Sequence, residues 1–118
     1  MAVNKNIEKS LDEILLVNGV LAVLISSYDG LIIFDKGIEK INRKKVSVEV
    51  AKIAKVIKSH LPEGTKTGIT LTIYYKNYNL VISFFEDFVI SLLCGNKANM
   101  GFLKIKLKNQ IPLIRKFL

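Results

Sequence analysis

The stretch Val20–Ser27, "VLAVLISS", constrains the fold more than any other part of the chain. It is too short for a helix of its own and rich in Val, Ile and Leu, so it reads as a strand. Successive side chains of a strand alternate between faces, yet both sets are apolar here: Leu21, Val23 and Ile25 on one side, Ala22 and Leu24 on the other. Such a strand lies centrally in a sheet that is covered on each face. Leu31–Lys36 is a second apolar run, and the intervening Tyr28-Asp29-Gly30 is a hairpin signal, because Asp and Gly both accept positive φ cheaply. The frame is therefore an antiparallel hairpin inside a sheet with helices on both sides.

The remaining periodicities supply the other elements. Ile7, Leu11, Ile14 and Leu15 recur at helical spacing, with Asn18-Gly19 as the stop. After the basic loop "KGIEKINRKK", Val46, Val50, Ile53, Ile57 and Leu61 return to a period near 3.6, closed by Pro62-Glu63-Gly64. Around this second helix Ser47, Ala51, Ala54 and Lys58 form another stripe, roughly 90–100° from the first if each residue advances about 100°. Its small residues permit close approach of a further helix. Three strand-like runs follow, "TGITLTIYYK", "NLVISFFE" and "DFVISLLC", turning at Asn77-Tyr78-Asn79 and at Glu86-Asp87. Asn99 caps a last helix whose stripe of Met100, Leu103, Leu107, Ile111, Ile114 and Leu118 continues past Pro112, where a kink or short break is predicted. The order is α-β-β-α-β-β-β-α, one α+β domain over residues 1–118.

Composition bounds the chemistry. Half of the 118 residues are hydrophobic, enough for a single core, and one cysteine, Cys94, excludes a disulfide framework or a thiolate cluster and suits a reducing interior. The N-terminus interleaves charged with apolar residues, unlike a signal peptide, and no apolar run reaches the ~20 residues of a membrane span. A soluble, cytoplasmic protein is expected. Eighteen Lys and Arg against ten Asp and Glu leave a net charge of +8, which favours an acidic protein surface, an anionic membrane or nucleic acid as partner.

Each candidate for chemistry has a plainer explanation. His60 is the only histidine, so no histidine metal pair exists. Cys94 ends an alternating strand and reads as a buried apolar-like side chain. "GTKTG" at Gly64–Gly68 lacks the P-loop spacing and joins a helix to a strand, the reverse of what phosphate cradling needs. Glu86, Asp87 and Asp29 read as turn residues without a base or metal partner. No catalytic residue, cofactor or metal is expected, and the protein is read as a non-enzyme. Tyr74, Tyr75 and Tyr78 could stack on bases, but Tyr74 and Tyr75 point to opposite faces and no RNA-recognition signature accompanies them, which argues against nucleic acid.

"SLLCGNKANMGFLKIKL" combines a last strand, an Asn-hydrophobic-Gly helix start at Asn99-Met100-Gly101 and a closing amphipathic helix; "VNGVLAVLISSYDGLIIFD" places Gly19 before the first strand and Asp29-Gly30 in its turn. On these residues the chain resembles the roadblock (dynein light chain roadblock-type) family over essentially its whole length. The resemblance implies a five-stranded antiparallel sheet with the second helix on one face and the first and last on the other, a roadblock/profilin-like fold. It implies pairing through the second helix and third strand, as a homodimer or with a paralogue, into a platform that binds or regulates a small Ras-like GTPase. Ser47, Ala51, Ala54, Lys58, Thr70 and Thr72 are the expected dimer interface; Arg43, Lys44, Lys45, Lys52 and Lys55 are the expected partner-binding charges. The alternatives are a small-ligand sensory module of profilin-like architecture, against which the bulky apolar core positions argue, and a basic nucleic-acid binder.

Overall fold

The computed structural model describes residues 4–60 and 69–118. Among these the elements run α1 (Lys5–Leu15), β1 (Val20–Ser26), β2 (Ile32–Gly37), α2 (Arg43–His60), β3 (Ile69–Tyr74), β4 (Tyr78–Phe84), β5 (Val89–Gly95) and α3 (Met100–Phe117). The order is the one read from the sequence. Leu61, the helix stop at Pro62-Glu63-Gly64 and the Gly64–Gly68 loop lie outside the described residues.

All strand pairs are antiparallel, and the sheet order is β2-β1-β5-β4-β3. β1 is interior, as its two apolar faces require, and Ala22, Val23, Leu24 and Ile25 are all fully buried. On one face α1 and α3 pack over Val20, Val23, Ile25, Val81, Ile90, Leu92 and Cys94; on the other α2 covers Ala22, Leu24, Leu80, Ile82, Phe84, Val89 and Leu93. Each fully buried Leu, Ile or Phe removes enough apolar surface from water to contribute ~1.5–3 kcal/mol, so the two cores fix both helical layers onto the sheet.

Two details of the first hairpin differ from the simple alternation. Pairing shifts between Val20 and Ala22, so Val20 takes the face expected of Leu21, and Leu21 sits at the bulge beside the start of α2. The turn is a three-residue loop: the Gly30 N–H donates to the Ser27 carbonyl at 3.1 Å, and the Ser27 N–H donates to the Leu31 carbonyl at 2.9 Å. Only Gly30 has positive φ, +87°, while Asp29 does not. That geometry is a turn followed by one left-handed glycine, so the left-handed demand falls on glycine alone.

α3 begins where predicted, with the Asn99 side chain accepting the Phe102 N–H at 3.0 Å. The helix runs on through Pro112 to Phe117 as one element, as expected, and of the predicted kink or short break the break does not occur. Half-buried Ile111 before the proline and buried Ile114 after it hold the same stripe on the core, offsetting the lost backbone hydrogen bond.

Candidate partner interface

The small-residue stripe of α2 faces inward. Ser47, Ala51 and Ala54 are buried within the chain itself, and the Ser47 hydroxyl donates to the Gly30 carbonyl. Small side chains here let α2 settle close to the sheet, over strands that carry Ser26 and Ser91 on the same face. These three residues are therefore unavailable to a second chain, a correction to the expected interface. Lys58 is exposed, but its Nζ donates to the Glu86 carbonyl at 3.2 Å and lies 4.2 Å from the Tyr28 ring centre. It braces α2 against the strand ends. Thr70 and Thr72 lie on β3 as expected, on the face opposite α2, and the Thr70 hydroxyl is 2.9 Å from that of Ser83 across the β3–β4 ladder.

The surface that stays open is the neighbouring flank of α2. Val46, Ile53 and Ile57, which the sequence pattern assigns to the core, are only half-buried, as are Leu71 and Ile73 of β3 on the same side of the sheet. Ile69 and Val56 extend this apolar strip at 42% and 60% exposure, more than a core position retains. Beside the strip runs the outer backbone row of β3, the edge of the sheet. The two edge strands are not alike. β2 carries Asp35 and Lys36, held by Arg43 at 2.6 Å and Asp12 at 2.9 Å, whereas "ITLTIY" of β3 carries no charge at all. Charges blunt an edge against further pairing, so β3 is the edge left competent to add a strand. A helix period alone hides this strip, because it cannot say which side of an amphipathic helix meets the sheet and which overhangs it.

The predicted basic residues divide in two. Arg43 Nε donates to Asp35 at 2.6 Å and its Nη1 to the Gly37 carbonyl at 3.2 Å, so it is committed to joining α2 to β2. This corrects its assignment as a partner-binding charge. Lys44, Lys45, Lys52 and Lys55 project into solvent; Lys52 lies 3.3 Å from Glu49, and Lys55 lies 4.0 Å from Asp29. Between the first turn of α2 and the β3–β4 turn, a surface groove is lined by Leu21, Ile41, Val46, Tyr75, Leu80 and Leu93, with Lys40 and Lys45 among its polar residues. Tyr75 and Tyr78, both in its lining, meet at a tilt, with ring centres 5.0 Å apart and planes inclined by 34°.

The titratable side chains singled out by sequence are scattered. Cys94 is buried against α1 and α3, and burial pushes its thiol from 9.0 up to about 11. His60 ends α2 in solvent, and Asp29, Glu86 and Asp87 are exposed at turns. The Tyr28 hydroxyl donates to the Phe85 carbonyl, and its pKa is raised, first by burial and second by the charge of Asp87. Among the described residues, no three His, Cys, Asp or Glu side chains gather as metal ligands do.

A five-stranded antiparallel sheet in order β2-β1-β5-β4-β3, with α2 alone on one face and α1 and α3 on the other, is the roadblock/LC7 fold. Solved structures that share it include the Roadblock/LC7 domain from Streptomyces avermitilis, with a TM-score of 0.71 at 12% identity over 98% of this chain and 94% of that one. The gliding protein MglB from Thermus thermophilus matches with a TM-score of 0.82 at 13% identity, over 99% and 92% of the two chains. MglC from Myxococcus xanthus matches with a TM-score of 0.63 at 19% identity, over the full length of both. No protein-family model and no curated protein sequence matches the chain. The likeness is one of fold.

Proposed function

We propose that this chain is a non-catalytic, cytoplasmic platform that pairs with itself or a paralogue through β3 and the apolar flank of α2, and that the pair binds or regulates a small Ras-like GTPase. The observation that carries the reading is the uncharged β3 edge lying beside the overhanging strip of Val46, Ile53, Val56 and Ile57. Two such edges related by a two-fold axis complete each other's backbone hydrogen bonds and bury both strips, which makes the contact isologous. The GTPase reading rests on the resemblance of the hairpin and the closing strand-helix segment to roadblock proteins. Lys44, Lys45, Lys52 and Lys55 supply its charge, a basic field on the exposed side of α2 that would attract an acidic partner surface.

Sedimentation velocity tests the pairing. The wild-type chain is expected to be a dimer at micromolar concentration, and Val56→Lys with Ile69→Lys, both at exposed positions, a folded monomer. A wild-type monomer refutes the platform. Capture from native lysate with a GTP analogue or GDP, read by mass spectrometry, tests the partner: recovery of a small GTPase that depends on the nucleotide supports the reading, and Lys44→Glu with Lys45→Glu should weaken it by about tenfold.

A further inference from the structure

The outward side of α3 has no role in the sheet, in the helical layer or in the proposed pairing. Its inward stripe is Leu103, Leu107 and Ile114; at about 100° per residue, Ile105 falls roughly opposite, while Phe102 and Leu113 fall about 120° and about 100° away on the flank toward α1, where Leu113 borders a surface groove with Asn6, Lys9 and Glu13. Phe102, Ile105 and Leu113 are 48%, 59% and 44% exposed, so three large apolar side chains stand in water as a broad ridge from the outward side of the helix round to its α1 side. The same helix carries Lys104, Lys106, Lys108, Arg115 and Lys116, and no acidic residue occurs from Met100 to Leu118. Lys106 is drawn toward α1 by Glu13 at 3.2 Å. Lys104, Lys108, Arg115 and Lys116 are exposed, and none of them is paired with a carboxylate among the described residues.

We infer that this ridge is a docking surface for an anionic lipid bilayer. Charge complementarity decides the occupant: apolar tips bordered by long basic side chains, with Lys104, Lys108 and Arg115 on the flank away from α1 and Lys116 beside Ile105 around the helix, match an interface that is apolar just below a layer of negative headgroups. The stems of Lys108 and Lys116, the cations nearest Ile105 around the helix, run beside the apolar surface while their ammonium groups reach the headgroups. Phe102, Ile105 and Leu113 enter the headgroup–acyl boundary. α3 forms the outer layer of its face and lies along the surface of the fold, so it can rest in the plane of a membrane without unfolding. Among the described residues no helix is long and apolar enough to cross a membrane, so attachment is peripheral. One chain suffices for the contact. Pairing through β3 and α2 would place both α3 ridges on the same side of a continuous sheet, and two weak contacts linked in this way bind far better than one.

Flotation with vesicles tests the inference, using phosphatidylcholine alone and phosphatidylcholine with about 30% phosphatidylserine, near physiological salt. Wild type is expected to float with the anionic vesicles and to remain in solution with the neutral ones. Each cation near an anionic surface contributes about fivefold to partitioning, so Lys104→Glu with Lys108→Glu should lower flotation by more than about tenfold. Lys104→Gln with Lys108→Gln should give a smaller loss, and circular dichroism should show both variants folded. Lys44→Glu with Lys45→Glu makes the same change in net charge on α2 and should stay within about threefold of wild type. The inference is overturned by a wild type that ignores anionic vesicles, which would leave an acidic protein as the occupant. Equal losses from the α2 and α3 pairs, or α3 variants that float undiminished, overturn it as well.

Discussion

At Gly19 the backbone runs at φ +94°, and a Cβ built there would lie 2.6 Å from the Cβ of Ala98. Two demands coincide, a left-handed conformation and contact with the loop that leads into α3. Gly19→Ala is expected to lower unfolding free energy by about 2 kcal/mol or more in urea titration, the left-handed penalty alone being roughly 1–2. Asp29 is the contrasting case. Its side chain is 91% exposed, its only ion-pair contact among the described residues is Lys55 at 4.0 Å, and the turn places its positive φ on Gly30 instead. Asp29→Asn should therefore change stability by less than about 0.5 kcal/mol and leave partner binding intact. Loss of binding with a normal fold would show that the carboxylate has a task of its own.

Among the elements, α2 shows where helical periodicity stops being informative. Its apolar residues span more than half the circumference, with Ser47, Ala51 and Ala54 at one margin and Val46, Ile53 and Ile57 at the other. The branched residues look like the core and the small ones like an outer contact. The sheet reverses this, because small side chains allow the closest approach and the deepest burial. α3 is simpler, since one stripe is buried and its start is a cap visible in the sequence. Asn99→Ala removes the acceptor for the Phe102 N–H and should cost about 1 kcal/mol by thermal or chemical denaturation. An unchanged midpoint would mean that core packing alone sets the helix start.

For the whole molecule, a buried thiol and a half-buried phenol couple the fold to alkaline pH. Cys94 is raised from 9.0 to about 11, and Tyr28 is raised above 10.0. In each case the unfolded chain ionises first, so the stability they contribute is fully present at lower pH and declines as pH rises, from 9 toward about 11 for Cys94 and from 10 upward for Tyr28. Cys94→Ala should flatten part of that decline in urea titrations across this range, and an identical slope would refute the assignment. Thiol reagents at neutral pH should meet an inert Cys94 until the chain unfolds. The sequence by itself determined the order of elements, the central position of β1 and the cap of α3. These follow from local periodicity, turn chemistry and the fact that a strand apolar on both faces needs two covers. Only the tertiary structure decided that the small stripe of α2 belongs to its own sheet, that Arg43 is held by Asp35, and that β3 is the uncharged open edge. Each depends on how far one element overhangs another and on which charges meet across the fold, distances that no spacing along a single segment encodes.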